Sequence, residues 1–242
     1  MASAAGMYYF SYGDETSARP SVILIHGAGG THLNWPPQIR RLAGQRMLAL
    51  DLPGHGRSEG VGRQLIADYA ADVVRFMDTL RLPAAILAGH SMGAAIALTM
   101  ALKHPKRLVG MALLGSSARM PVSPAILRGA ADRSTFRATV ELITGHSYSL
   151  HTDPRLKELA ARRMAESRPS VLHGDFVACD HFNVTDELGR VRTPTLIIAA
   201  EEDRMIPAAS SRGMQRQIPG AQLRMVPDAG HMLMLERPEA VA

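Results

Sequence analysis

The stretch Ala88-Gly89-His90-Ser91-Met92-Gly93-Ala94-Ala95 places a serine between two glycines, just after an apolar run and just before a run of small residues. A serine hydroxyl is a weak nucleophile until a neutral imidazole takes its proton and a fixed carboxylate steadies the imidazolium that forms. On a sharp strand-to-helix turn, Ser91 would expose its hydroxyl on a strained backbone. Gly89 and Gly93 would then keep side chains from colliding with the neighbouring strand and helix. The plainer reading is a glycine-rich helix start with Ser91 as its N-cap. The two differ in what the rest of the chain must supply: a base, an acid and donors for an oxyanion.

Three further polar clusters follow apolar runs. His26-Gly27-Ala28-Gly29-Gly30 follows Val22–Ile25, and a glycine-rich loop can turn backbone N–H groups toward a developing oxyanion. Ala28 is the expected donor, with Gly29 as its substitute. The N–H of Met92, at the start of a helix whose dipole favours negative charge, is the expected second donor. Glu201-Glu202-Asp203 follows Thr195–Ala200, and Gly230-His231 lies beyond the last apolar run. Serine, then acid, then histidine is the order in which an α/β sheet delivers a triad around such a turn. Among the acids, Asp228 stands too close to His231 along the chain to reach around the ring, and reads as solvating the turn at Pro227. His26 and His90 read as hydrogen-bonded packing residues.

A dinucleotide fingerprint would also use a strand, a glycine-rich loop and a later acid, here Asp51. Against it, His32 stands where the third glycine is needed, and Trp35-Pro36-Pro37 stops a helix from starting at the loop. No metal and no cofactor are expected. His146 and His151 lack a third ligand, and His173, Cys179, Asp180 and His181 fit no metal-binding spacing.

These clusters need a parallel sheet, whose strand carboxyl ends line the ligand crevice. Val22–Ile25, Met47–Leu50, Ala84–Ala88, Leu108–Leu114 and Thr195–Ala200 read as buried strands, and Gln222–Val226 as a sixth nearer an edge. Leu65, Ile66, Tyr69, Val73, Phe76, Met77 and Leu80 recur at helical spacing over residues 63 to 81. The small residues from Ser91 to Lys103 form a helix able to pack closely on the sheet. From Ser116 to Arg190 the pattern is helical, punctuated by Pro121, Pro124, Gly145, Pro154, Pro169 and Gly174, with no convincing strand. The expected organisation is a core of residues 1–115 and 191–242, with residues 116–190 as a helical cap insertion over one end of the sheet. Met164, Val171, Leu172, Phe176, Val177 and Phe182 should form the cap's own core and its contact with the sheet. Asp180-His181 reads as a solvated helix face.

Composition narrows the classes. The chain of 242 residues, 46% apolar, can bury one sizeable core. Its formal charge of +5 comes from scattered arginines with acids nearby, and no basic run is interleaved with aromatics, so nucleic acid is not an expected partner. No apolar window is long enough for a membrane span, and the first residues do not read as a secretion signal. The single cysteine, Cys179, permits no internal disulfide, which suits a cytoplasmic setting.

With HGAGG at 26 to 30, DLPGHGRS at 51 to 58, GHSMG at 89 to 93, PTLIIAAEED at 194 to 203 and AGHMLMLERPE at 229 to 239, the chain resembles the α/β-hydrolase superfamily. Within it the resemblance is to the small, cap-bearing serine esterase-like branch. It implies a mostly parallel twisted sheet flanked by helices, with Ser91, Asp203 and His231 as catalytic residues and Ala28 and Met92 as oxyanion donors. Relatives usually carry a glycine where Ala200 stands, three residues before the acid. The implied reaction is hydrolysis of small or short-acyl carboxylic esters, with a small-molecule ester as the partner and no cofactor. Relatives with an aspartate nucleophile are disfavoured by the serine. Carbon–carbon bond hydrolases commonly place asparagine where His90 stands. Cofactor-free perhydrolases and acyltransferases share the same triad, and related folds also serve as small-molecule receptors or scaffolds.

Overall fold

Short runs of Val, Ile, Leu and Ala without polar interruption must be covered on both faces, and the chain achieves this by sandwiching one sheet between helices. The computed structural model describes residues 2–242. Its strands are β1 (Ser3–Ala4), β2 (Met7–Tyr12), β3 (Val22–Ile25), β4 (Met47–Leu50), β5 (Ala85–His90), β6 (Leu108–Leu114), β7 (Thr195–Ala200) and β8 (Gln222–Val226). They form one eight-stranded sheet in the order β1-β2-β4-β3-β5-β6-β7-β8. From β4 to β8 every pairing is parallel, and β2 joins β4 antiparallel. The mostly parallel α/β-hydrolase sheet is therefore present.

Two details depart from the sequence pattern. The third parallel strand does not stop at Ala88 but continues through Gly89 and His90, which pair with Leu113 and Leu114 of β6. The ladder thus runs up to the residue before the serine and makes the turn abrupt. The β1–β2 hairpin was not anticipated. β1 is only two residues long, and the turn between the strands puts Ala5 and Gly6 at φ 51° and 76°. Tyr8 and Phe10 of β2 are half-buried among alternating buried neighbours, a weaker signal than a continuous apolar run.

After the short α1 (Pro37–Arg40), the helix expected at 63 to 81 is α2 (Ile66–Thr79). The small-residue helix is α3 (Met92–Lys103), buried from Met92 to Ala101. Between β6 and β7 lie α4 (Pro124–Ala131), α5 (Phe136–Ser147), α6 (Pro154–Ala165) and α7 (Pro169–Asp180). Three of the prolines that punctuate this interval, Pro124, Pro154 and Pro169, open helices at their first position, where a missing N–H costs nothing. Ala130, Phe136, Val140, Ile143, Leu172 and Phe176 make a separate apolar cluster that packs onto Ala28 of the glycine-rich loop. Val171 and Phe182 are buried, while Met164 and Val177 are half-buried. No helix among the described residues is long and apolar enough to cross a membrane.

Candidate active site

Ser91 sits at φ 53°, ψ −115°, outside the regions open to most side chains, and such strain persists only where the surroundings enforce it. They do so from both sides. Its N–H donates to Leu114 O of β6, and its carbonyl accepts from Ala94 and Ala95 as α3 begins. A Cβ on Gly89 would lie 2.2 Å from Gly93 O, and one on Gly93 would lie 2.2 Å from Ile25 O of β3. Only glycine lets strand, turn and helix approach this closely. That is why glycines flank the serine.

Past β8, the ring of His231 is buried, with Nδ1 2.8 Å from Asp203 Oδ2. The other carboxylate oxygen of Asp203 accepts from the N–H groups of Met205 and Ile206 at 2.9 and 2.8 Å, which fixes its rotamer. Burial opposes charge on Asp203, but the His231 charge and hydrogen bond and these two N–H groups outweigh it. They hold the carboxyl below its usual range. With Nδ1–H donated to Asp203, Nε2 of a neutral His231 carries the lone pair. The neighbouring acids are placed elsewhere. Glu202 accepts from Ser149 Oγ at 2.5 Å, and Asp228 is exposed, 4.0 Å from Arg237.

His90 packs against His231 with ring centroids 4.7 Å apart and donates from Nε2 to the His231 carbonyl at 2.9 Å. Burial, then the neighbouring His231 charge, push its pKa down to about 3, so it supports the histidine loop as a neutral ring. No hydrogen bond among the described residues joins Ser91 Oγ to His231, a looseness common before substrate binds. Both residues nevertheless line the same cavity of about 200 Å³, together with Ala28, Met120, Phe176 and Ile206. A smaller space of about 50 Å³ adjoins it, bounded by Gly27, Asn34, Met164 and Met232 and again by Ser91 and His231.

The glycine-rich loop after β3 is held peptide by peptide. Gly27 O accepts from Gly30 N–H at 3.0 Å and from His26 Nδ1 at 2.8 Å, while His26 Nε2 accepts from Leu52 N–H at 3.1 Å. His26 is thereby fixed as a neutral Nδ1–H tautomer, in keeping with a pKa lowered to about 4 by burial and then by the His55 charge. In a trans peptide the N–H points opposite the C=O. Pinning Gly27 O therefore aims Ala28 N–H the other way, and neither that group nor the N–H of Met92 has a protein acceptor among the described residues. Gly29, the expected substitute donor, is not available: its N–H donates to Asp175 Oδ2 at 2.8 Å.

Asp51, the acid of the dinucleotide reading, spends both oxygens inside the protein. Oδ1 accepts from His32 N–H and Nδ1 at 2.7 and 2.8 Å, and Oδ2 from Arg57 N–H at 2.9 Å. Sequence reasoning missed Asp175 and His55, which meet in a third buried pair at 2.7 Å. The only hint in the chain was an acid set among the apolar residues of α7. Asp180 is exposed and accepts from Val122 N–H. No group of three or more His, Cys, Asp or Glu among the described residues is placed to hold a metal.

Comparison with known proteins agrees with this architecture. The family model for the alpha/beta hydrolase fold matches residues 20–238. A protein named as the carbamate hydrolase RutD, from Caulobacter sp. strain K31, is 30% identical, with 97% of this chain and 92% of that one covered. Among solved structures, an enol-lactonase from Burkholderia xenovorans superposes with a TM-score of 0.90 at 24% identity, covering 97% of this chain and 93% of that one. A thermophilic esterase from Thermogutta terrifontis gives 0.86 at 26% identity, covering 97% and 89%.

Proposed function

This chain belongs to the α/β-hydrolase family, a hydrolase fold, and from that premise we propose that it cleaves small or short-acyl carboxylic esters through an acyl-enzyme on Ser91. The observation that carries the reading is the 2.8 Å contact from Asp203 to His231, whose ring lines the same cavity as the strained Ser91. His231 Nε2 takes the proton as Ser91 Oγ attacks the ester carbonyl. The N–H groups of Ala28 and Met92 receive the negative charge that develops on the carbonyl oxygen. As the tetrahedral intermediate collapses, His231 returns the proton to the departing alkoxide. A water molecule, deprotonated in turn by His231, then attacks the acyl carbon, and His231 returns that proton to Ser91 Oγ as the carboxylic acid departs. Asp203 holds the ring in the required tautomer and offsets the imidazolium charge.

The strained serine and the imidazole anchored to a buried carboxylate support turnover over an inert receptor of the same shape, which would need neither. A cavity of about 200 Å³ lies below the roughly 300–1,000 Å³ of drug-sized ligand sites, which favours short acyl chains. The test is a panel of p-nitrophenyl esters from C2 to C16, run with a fluorophosphonate probe and with Ser91→Ala. Ester turnover should be highest for chains of C2 to C8 and vanish in Ser91→Ala while the fold persists. Probe attached to any residue other than Ser91 would sink the acyl-enzyme, and kcat/KM rising from C8 to C16 would refute the short-acyl assignment. The panel should include a carbamate, the substrate class in the Caulobacter relative's name, since it presents a comparable carbonyl.

A further inference from the structure

We propose that Asp175, on helix α7 above the sheet, is a positioning residue for the reaction: its buried carboxylate ties α7 to the loop that presents the Ala28 N–H. The proposal rests on the role assigned to Ala28 in the preceding subsection. Asp175 has no solvent exposure, and donors from three distant segments converge on it. Gly29 N–H and His55 Nε2 reach Oδ2 at 2.8 and 2.7 Å, and Tyr69 OH of α2 reaches Oδ1 at 2.5 Å. An isolated buried carboxylate is costly, so a site that satisfies it from three sides is specified in detail. Tyr69 OH itself accepts from Arg63 N–H at 3.0 Å, which leaves its proton for Asp175. His55 Nδ1 faces Pro53 O at 3.1 Å. Both ring nitrogens of His55 therefore point at acceptors, and the ring is an imidazolium paired with the carboxylate. Burial opposes that charge, but the Asp175 charge and hydrogen bond outweigh it and raise the His55 pKa.

The consequence for the loop is geometric. Gly27 O is pinned by two donors, which orients the peptide N-terminal to Ala28. Asp175 fixes the next peptide by its bond to Gly29 N–H. The two planes on either side of the Ala28 Cα are then set, one from within the core and one from α7. Gly29 adopts φ +63°, and a Cβ there would meet Leu172 Cδ1 at 2.6 Å, so α7 rests directly on the loop one turn before Asp175. The next residue, Phe176, lines both spaces beside Ser91. One helix thus shapes the cavity and sets the oxyanion donor together.

Asp175→Asn keeps the shape but presents an amide NH₂ to donors that need an acceptor. A small misplacement of a catalytic group can cost about a hundredfold, so kcat for p-nitrophenyl butyrate should fall between about tenfold and a hundredfold, with KM within about threefold. Affinity for a trifluoromethyl ketone, whose adduct places an oxyanion where the transition state does, should fall by a similar factor. Amide exchange over residues 27 to 30 should quicken while that of β5 does not. Ile218→Ala, a cavity in the main core on the segment between β7 and β8, is the structural control: it should lower Tm and leave kcat and ketone affinity unchanged. If Asp175→Asn does not fold, Tyr69→Phe removes one donor and keeps the ring, and should give the same pattern at about two- to fivefold. Asp175→Asn, or Tyr69→Phe in its place, behaving like Ile218→Ala would overturn the proposal. Absence of ester turnover in the unsubstituted protein would instead fell the ester-cleaving reading on which it rests, and loop exchange unchanged by Asp175→Asn would fell the tie itself.

Discussion

Of three buried histidine–aspartate pairs among the described residues, two of nearly equal length flank the same loop-and-cavity region and differ in kind, His231–Asp203 at 2.8 Å and His55–Asp175 at 2.7 Å. Their difference lies in the second ring nitrogen. His231 meets its carboxylate through Nδ1, and its ring lines the cavity that holds Ser91. His55 meets its carboxylate through Nε2, and its Nδ1 is spent on Pro53 O. A ring with one nitrogen free of protein acceptors can exchange a proton with a substrate. A ring with both committed can only hold. The partners differ correspondingly, since Asp203 is steadied by local backbone donors and Asp175 by groups from three separate parts of the chain.

The largest expected break in this contrast is His231→Gln. Loss of the base in a serine triad costs on the order of 10⁶ in kcat, and a steady-state assay should find activity reduced by at least about 10⁴ with Tm little changed. Asp203→Asn comes next. In the serine-protease template the amide favours the wrong tautomer and costs about 10⁴, so a loss of at least about a hundredfold in kcat is expected here. Glu202→Gln and Asp228→Asn, whose carboxylates make no hydrogen bond to His231, should stay within about tenfold. A crippled Asp228→Asn beside an active Asp203→Asn would reassign the acid.

The smallest effect is one of pH, and it separates the pairs by sign. The pKa of folded His55 is raised above its ordinary 6.5 within a setting of Asp175, Asp51, Tyr69 and the neutral His26. Its contribution to stability is therefore full below about 6.5 and lost as pH rises through the folded value. Asp203 is lowered from 3.8, so its contribution is present above that value and lost as pH falls through the folded one. The Tm difference between the unsubstituted protein and His55→Gln should be greatest in mild acid and shrink toward alkaline pH. A gap that widens with alkalinity would mean that His55 is neutral in the fold.

Much of this was readable in the chain because the information is local. Five strands are legible as apolar runs bounded by turn residues and a sixth as a part-polar edge strand, and the tight turn at Ser91 is written in the two glycines that the backbone approach requires. The hairpin β1–β2 escaped because a two-residue strand carries no period. Among the acids after β7, residue types left several open, and the resemblance alone preferred Asp203. Gly29 was open as a donor for a similar reason: a glycine-rich loop has several N–H groups, and nothing within it says which one another segment will use.

The sequence by itself determined the order of the elements, the α/β architecture and the short polar stretches that fall at strand ends, since these follow from hydrophobic period and from the steric demands of glycine and proline. Tertiary structure alone decided which hydrogen-bond donors and acceptors are spent and which are left free. Asp175 lies 146 residues from Gly29 and 120 from His55, and no periodicity links positions so far apart. The reason is physical: a buried polar group must find a partner wherever folding brings one, and that partner is chosen by the packing of α7 against the loop after β3, not by neighbours along the chain.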